Sequence, residues 1–273
     1  MLCYLNGNYL ALNEAKVSVL DRGFLFGDGV YEVIPAFHQK LLAADAHLER
    51  LNKSLAGIGM HQPAIEWQPI FEKLLRESGL SHASIYVQIT RGAYETRNHL
   101  APDEINPTIF IAVFPVAHPN PIHQGIRTCT TTDHRWANCY IKAITLLPNV
   151  LAKHHAKTQD LYDAIFVKDG YAVEGTSSNL FIVKDGHVYT APLTANILHG
   201  ITRNLVLSLL KNKAIPHAEQ MIPLETLYTA DEIWFTNSTG GIIPIIEVDG
   251  RMISQGKPGP LWQQLHHDYE AIL

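Results

Sequence analysis

Three pairs of an Asn or Asp followed by Gly constrain this chain most: Asn6-Gly7, Asp169-Gly170 and Asp185-Gly186. Such pairs accept the positive φ of a two-residue hairpin turn, so each predicts two antiparallel strands meeting there. The first lies within residues 2–12, between two short apolar runs. The other two fall inside residues 164–189, which read as an antiparallel meander. Further strand-like runs cover 30–37, 83–91, 107–116, 126–131, 232–235 and 242–247. Helical spacing interleaves with them. Asp45 is placed to cap a helix with Leu48, Leu51 and Leu55 as its buried stripe, and Arg50 stands beside that stripe. Residues 64–78 repeat the pattern up to Gly79, and Pro148 opens a helix carrying Val150, Leu151 and Ala156. Gly200 introduces another helix, and residues 261–273 form the last. Helices and mainly antiparallel strands alternate without a fixed repeat, which predicts an α+β fold in two lobes. The proline-rich, polar run VAHPNPIHQG marks the linker, giving lobes 1–117 and 126–273 joined by 118–125.

Composition narrows the partners. A net charge of −5 gives no electrostatic reason to expect nucleic acid or an anionic membrane. No apolar run nears the roughly 20 residues that span a bilayer, and the N-terminus lacks a basic region before its apolar residues. Cys3, Cys129 and Cys139 are an odd number without CxxC spacing, which argues against a disulfide framework or a metal site and suits the cytoplasm. The pairs His154-His155 and His266-His267 do not make a metal-binding HExxH either.

Several stretches could carry chemistry. Lys142 lies in YIKAITLLPN, an otherwise apolar segment that breaks at Pro148. Its stem could cover apolar surface while the head reaches water. Alternatively its amine is desolvated, as a Schiff base with an aldehyde cofactor requires. Glu174, in VEGTSSN, ends a strand beside Ala172 and Val173, where an unpaired carboxylate is costly. Facing a pyridine nitrogen, it would keep that nitrogen protonated and the ring electron-poor. Gly200, Ile201 and Thr202 at a helix start suit an anion, or Thr202 is simply a cap. Ser238 and Thr239, before Gly240-Gly241, suit a second set of anion donors or a plain turn. Arg50 could supply the opposing charge. Arg97 and His99, one residue apart on a polar loop, can close on one carboxylate or decorate a surface. In DRGFLFGDGVYEVIPAF the glycines at 23, 27 and 29 suit an irregular loop, and their spacing is not GxGxxG. EGTSSN is not the GxSxG elbow, and no P-loop is present.

Taken together, DRGFLFGDGVYE at 21–32, HLERL at 47–51, YIKAITLLPNVLAK at 140–153, EGTSSN at 174–179, HGITR at 199–203 and TNSTGGIIPI at 236–245 resemble the fold-type IV pyridoxal-phosphate enzymes, the class IV aminotransferases. The resemblance covers essentially the whole chain, and its motifs look most like those of D-amino acid aminotransferases. It implies that Lys142 is the Schiff-base lysine and that Glu174 serves the pyridine nitrogen. It assigns Arg50, Ile201 and Thr202 to a phosphate cup completed by Ser238 and Thr239. Tyr31, Arg97 and His99 match a substrate-carboxylate trap, the last two within the triplet RNH. The trap is shared between subunits in such enzymes, so a homodimer is implied. The implied substrates are an amino acid such as D-alanine and a 2-oxo acid such as 2-oxoglutarate. Aminodeoxychorismate lyase shares the cofactor residues and is the alternative, with RNH and the Tyr31-Glu32 pair speaking against it. Leu146-Leu147 stands where branched-chain L-aminotransferases carry a tyrosine, which counts against that activity. Phe24, Asn237 and Gly240-Gly241 depart from the usual motifs.

Overall fold

The computed structural model describes residues 1–102, 104–116 and 121–273. The backbone forms two compact units, Met1–His118 with Ile141–Thr145, and Pro119–Tyr140 with Leu146–Leu273. In the first, β1 (Leu2–Leu5) and β2 (Asn8–Ala11) make the expected hairpin, with Asn6 and Gly7 at φ 49° and 91°. The glycine-rich motif that follows is partly helical rather than a loop. Asp21 Oδ1 accepts from Gly23 N at 2.7 Å and so caps a short helix, α1 (Arg22–Phe26). There follow β3 (Gly29–Phe37), β4 (Lys40–Leu41), α2 (Ala44–Gly57), α3 (Trp67–Ser78), β5 (His82–Thr90) and β6 (Thr108–Pro115). The sheet runs β2-β1-β6-β5-β3-β4 and every pair is antiparallel.

Asp45 does not cap α2. The chain leaves β4 through Ala43 at φ 52°, which puts Ala43 at the cap and Asp45 inside the first turn. There its charge still favours the positive end of the helix dipole. Of the expected stripe, Leu51 and Leu55 are buried and Leu48 is half-buried; they join Phe71, Leu74, Ile85 and Ile111 in one core with Val30 and Ile34 of β3. Side chains alternate along a strand, so Glu32 shares that apolar face with Val30 and Ile34. The segment Ile141–Thr145 completes this unit. Ala143 bridges to Val30, and the Lys142 carbonyl accepts from Tyr31 N at 2.9 Å.

The second unit contains β7 (Ile126–Thr132), α4 (Leu147–Thr158), β8 (Asp163–Lys168), β9 (Tyr171–Gly175), β10 (Asn179–Lys184), β11 (His187–Thr190) and α5 (Ile201–Asn212). It continues with β12 (His217–Glu219), β13 (Ile222–Pro223), α6 (Leu224–Tyr228), β14 (Glu232–Asn237), β15 (Gly241–Val248), β16 (Arg251–Met252) and α7 (Pro260–Glu270). The predicted meander is present, turning through Asp169-Gly170 and Asp185-Gly186 at positive φ. The sheet order is β12-β11-β10-β14-β15-β7-β8-β9-β13, and β9 also meets β10 where Glu174 faces Asn179. Parallel pairing of β7 with β8 and β15, and of β11 with β12, makes this sheet mixed. On α4 the buried residues are Ala152 and Ala156, while Val150 and Leu151 face outward at 58% and 60% exposure. Of the expected linker, residues 118–120 lie outside the described residues, and Pro121–Gln124 forms a 3-10 turn. Among the described residues no helix is long and apolar enough to cross a membrane, and no His, Cys, Asp and Glu cluster is arranged to hold a metal.

Candidate active site

Lys142 is fixed by its backbone and left open at its amine. Its N–H donates to Ser54 Oγ at 3.1 Å and its carbonyl accepts from Tyr31 N. Its Nζ lies 4.2 Å from the centroid of the Tyr31 ring and, among the described residues, makes no hydrogen bond or ion pair. An amine resting on an aromatic face is held without being consumed. Tyr31 points away from the core face of β3 and packs its ring 5.8 Å from Tyr86.

Glu32, one residue on, occupies the opposite face and is fully buried. Arg50 reaches it as a fork, with Nε to Oε1 at 2.7 Å and Nη2 to Oε2 at 2.8 Å, and His47 Nδ1 lies 2.8 Å from Oε2. Burial alone would push this carboxyl up. The Arg50 charge and hydrogen bonds, His47 and the nearby Lys142 charge outweigh it and hold the carboxyl at about 2. Burial holds His47 below its ordinary value, so Glu32 and Arg50 are the charged pair of the three. Arg50 is thus rigidly held by Glu32, a partner that sequence reasoning did not assign to it.

Arg97 and His99 are exposed, yet they are not loose. Arg97 Cζ lies 4.9 Å from the centroid of the Phe26 ring, and the His99 ring lies 5.2 Å from it. The structure brings these two together, while Tyr31 stacks elsewhere, on Tyr86 and Lys142.

In the second unit Glu174 is buried at the end of β9. Arg135 pairs with it through Nη1, and Asn179 Nδ2 donates to Oε2 at 3.0 Å. The Leu198 N–H adds a bond to Oε2 at 3.2 Å. Burial is the largest influence and, against these donors, raises the carboxyl to about 7. Arg135 is itself gripped by Asp133, with Nη2 to Oδ2 at 2.8 Å, and it covers the Phe166 ring.

The same network reaches the anion-binding candidates. Asn179 Nδ2 also donates to Leu198 O at 2.8 Å, and a Cβ on Gly200 would collide with the Asn179 side chain. Glycine at 200 therefore lets the start of α5 approach Glu174's own partner. Among the described residues no side chain caps α5, so the N–H groups of Ile201 and Thr202 point from its N-terminus without a side-chain acceptor there. At the end of β14, Asn237 Oδ1 accepts from Thr239 N at 3.2 Å and Gly240 N at 2.6 Å, shaping the loop that displays Ser238 and Thr239. Asn237 Nδ2 donates to Ser178 Oγ at 3.1 Å, tying that loop to the one after Glu174. Glu174, the start of α5 and the hydroxyl loop are thus joined through Asn179, Ser178 and Asn237. Sequence reasoning missed Arg135, His47 and the roles of Asn179 and Asn237. His47, Asn179 and Asn237 stood within recognised motifs, and Arg135 did not.

Known proteins are similar to this chain along most of its length. A family model described as amino-transferase class IV matches residues 29–248. D-alanine aminotransferase of Bacillus licheniformis is 37% identical over 259 residues, covering 94% of this chain and 91% of the relative. D-alanine aminotransferase of Staphylococcus haemolyticus is 36% identical over 276 residues, covering 99% and 97%. Among solved structures, the branched-chain aminotransferase of the thermophilic archaeon Thermoproteus uzoniensis with norvaline superposes with a TM-score of 0.88. It is 28% identical, and the match covers 99% of this chain and 93% of that one.

Proposed function

Because the chain belongs to the class IV aminotransferases, we propose that it moves the amino group of a D-amino acid such as D-alanine to a 2-oxo acid such as 2-oxoglutarate, using pyridoxal phosphate. The observation that carries the substrate is the 36–37% identity to D-alanine aminotransferases over nearly the full length of both chains. RNH at 97–99 and leucines at 146–147 agree with it.

The donor set fits the cofactor. An aldehyde needs an amine that no carboxylate claims, and Lys142 Nζ has none paired with it among the described residues. A phosphate needs converging N–H groups, which the start of α5 offers without a side-chain cap. A pyridine nitrogen needs a desolvated carboxylate, which Glu174 is. When bound, pyridoxal phosphate supplies an aldehyde and a ring that accepts the electrons of the substrate's Cα–H bond. Lys142 Nζ would hold the cofactor through its aldehyde and would serve as the base that moves the substrate's α-proton. Tyr31 fixes that amine by its ring and by its N–H to the Lys142 carbonyl. Glu174 would accept a hydrogen bond from the protonated pyridine nitrogen, and Arg135 favours the ionised form of Glu174 against burial. Arg50, Ile201, Thr202, Ser238 and Thr239 bind the phosphate. Tyr31, Arg97 and His99 bind the substrate carboxylate, the last two in a neighbouring subunit of a homodimer. Val17, Val19, Phe24 and Leu100 are 54–80% exposed, the apolar surface that a second copy would cover. A cytoplasmic setting and the lobes 1–117 and 126–273 complete the proposal.

The test is a parallel spectral titration of the loaded protein with D-alanine, L-leucine and aminodeoxychorismate, each with 2-oxoglutarate where an acceptor is needed. D-alanine should convert the cofactor and yield pyruvate and glutamate. Pyruvate from aminodeoxychorismate alone, with D-alanine untouched, would make the chain a lyase and overturn the proposal.

A further inference from the structure

The residues that precede β3 form a mount for the loop carrying Arg97 and His99. Arg22 is 7% exposed, and its guanidinium is fully engaged. Nε donates to Asp28 Oδ2 at 2.8 Å, Nη1 to the Asn98 carbonyl at 2.6 Å and Nη2 to the His99 carbonyl at 2.8 Å. Asp28 is held in turn by Arg91, through Nε at 2.8 Å and Nη2 at 3.0 Å. Arg91 Nη2 also donates to Ile58 O at 2.7 Å, tying the clamp to the end of α2. Asp21 fixes the foot of the mount, accepting from Thr90 Oγ1 at 3.0 Å and Thr108 Oγ1 at 2.6 Å.

What Arg22 does for the loop backbone, Phe26 does for its side chains. The one ring receives Arg22 Cζ at 5.0 Å, Arg97 Cζ at 4.9 Å and the His99 ring at 5.2 Å. A guanidinium that rests its face on a ring keeps its N–H donors in its own plane, at the edge, where they can fork onto a carboxylate. The Asp28 carboxylate, shared by Arg22 and Arg91, offsets part of their charge and eases the approach of two cations to one ring.

We infer that Arg22 and Phe26 are positioning residues for the substrate-carboxylate trap, holding the loop and the Arg97 and His99 side chains in their binding posture before substrate arrives. The inference rests on the proposed role of Arg97 and His99. The mount lies wholly within one chain, so each subunit carries the Arg97 and His99 share of the trap already ordered. The cost of ordering two exposed side chains is then met before binding rather than during it.

Phe26→Leu keeps apolar volume and removes the ring face. It should raise the KM for D-alanine about five- to tenfold, as expected for lost cation–π contacts. kcat and the dissociation constant for pyridoxal phosphate should stay within about twofold. Phe26→Tyr retains the face and should restore the KM. Arg22→Lys keeps the charge but cannot fork onto two carbonyls and Asp28 together, so it too should raise the KM. Calorimetric binding of glutarate to the loaded enzyme gives the same comparison without turnover. In the Arg97→Ala background, Phe26→Leu should add less than it does in the wild type, only the share carried by His99. If Arg97→Ala raises the KM while Phe26→Leu and Arg22→Lys leave it alone, the mount is refuted and the trap stands. Additive effects of Phe26→Leu and Arg97→Ala also refute it. If Arg97→Ala itself leaves the KM unchanged, the trap assignment fails and takes this inference with it. Should Phe26→Leu not fold, Arg22→Lys decides.

Discussion

Glu32→Gln tests the buried cluster on which Arg50 depends. The side chain is shielded from water and takes two hydrogen bonds from Arg50 and one from His47 within 2.8 Å. Folding moves its carboxyl from an ordinary 4.5 to about 2. Each tenfold change in a protonation equilibrium is worth about 1.4 kcal/mol, so the ionised form contributes roughly 3 kcal/mol. That agrees with the ~3–5 kcal/mol lost when one partner of a buried ion pair is neutralised. At neutral pH the variant should therefore melt about 6–12 °C lower, at ~2–4 °C per kcal/mol for a chain near this size. The sign with pH follows from the direction of the shift. A carboxyl whose pKa falls on folding stabilises above about 4.5 and loses that contribution as the pH drops towards about 2. The gap between wild type and variant should accordingly be full at neutral pH and shrink through that window, measured by circular dichroism during urea unfolding. A second consequence separates stability from function. If Arg50 binds phosphate, the variant should lose affinity for pyridoxal phosphate but not for pyridoxal. A gap below about 1 kcal/mol at neutral pH, or one that does not change as the pH falls, would refute the reasoning.

Lys142→Ala should lose the borohydride-fixable link to the cofactor and nearly all turnover; a link surviving in the variant, found by mass spectrometry, would place the cofactor on another lysine. Glu174→Gln should slow α-proton transfer by about 10²-fold in single-turnover kinetics while cofactor stays bound. In the cofactor-free protein Glu174 acts oppositely to Glu32. Its carboxyl is raised to about 7, so its contribution to stability is present below about 4.5 and lost as the pH rises through 7, a slope that Glu174→Gln should flatten. Arg97→Ala should cost about 2–5 kcal/mol of D-alanine binding, read as KM, with pyridoxal phosphate affinity unchanged; Arg97→Lys should recover little, since a point charge lacks the fork.

Much of the fold was legible because its strongest signals are local. Asn6-Gly7, Asp169-Gly170 and Asp185-Gly186 each determine a turn through their own backbone preferences, and the hairpins follow. The start of α2 was not legible in the same way. Asp45 is a good cap by type, but the turn out of β4 through Ala43 set the boundary first. On α4, Leu147, Val150 and Leu151 look like a core stripe, yet the helix buries small alanines against β8 and turns the large residues outward. Residue type identifies an apolar helix face here without saying what covers it.

The site divides along a similar line. Lys142, Glu174 and the Gly200–Thr202 turn could be singled out because each puts an unusual residue into a local pattern: a cation in an apolar run, an acid at a strand end, a glycine before a helix. Their supports could not. Arg135 lies 39 residues before the Glu174 it pairs with, and nothing in its neighbourhood separates it from a surface arginine. Arg22 contacts carbonyls 76 and 77 residues away, and those acceptors are main chain, which carries no sequence signature. Glu32 enters the sequence reading only beside Tyr31, with no partner assigned to it until β3 is folded. Alternation then forces it onto the apolar face beside Val30 and Ile34, where only a partner such as Arg50 makes its burial tolerable. The candidate groups are thus legible one by one. What tunes them arises from long-range pairing, because a buried charge acquires its partner only when the sheet and helices close around it.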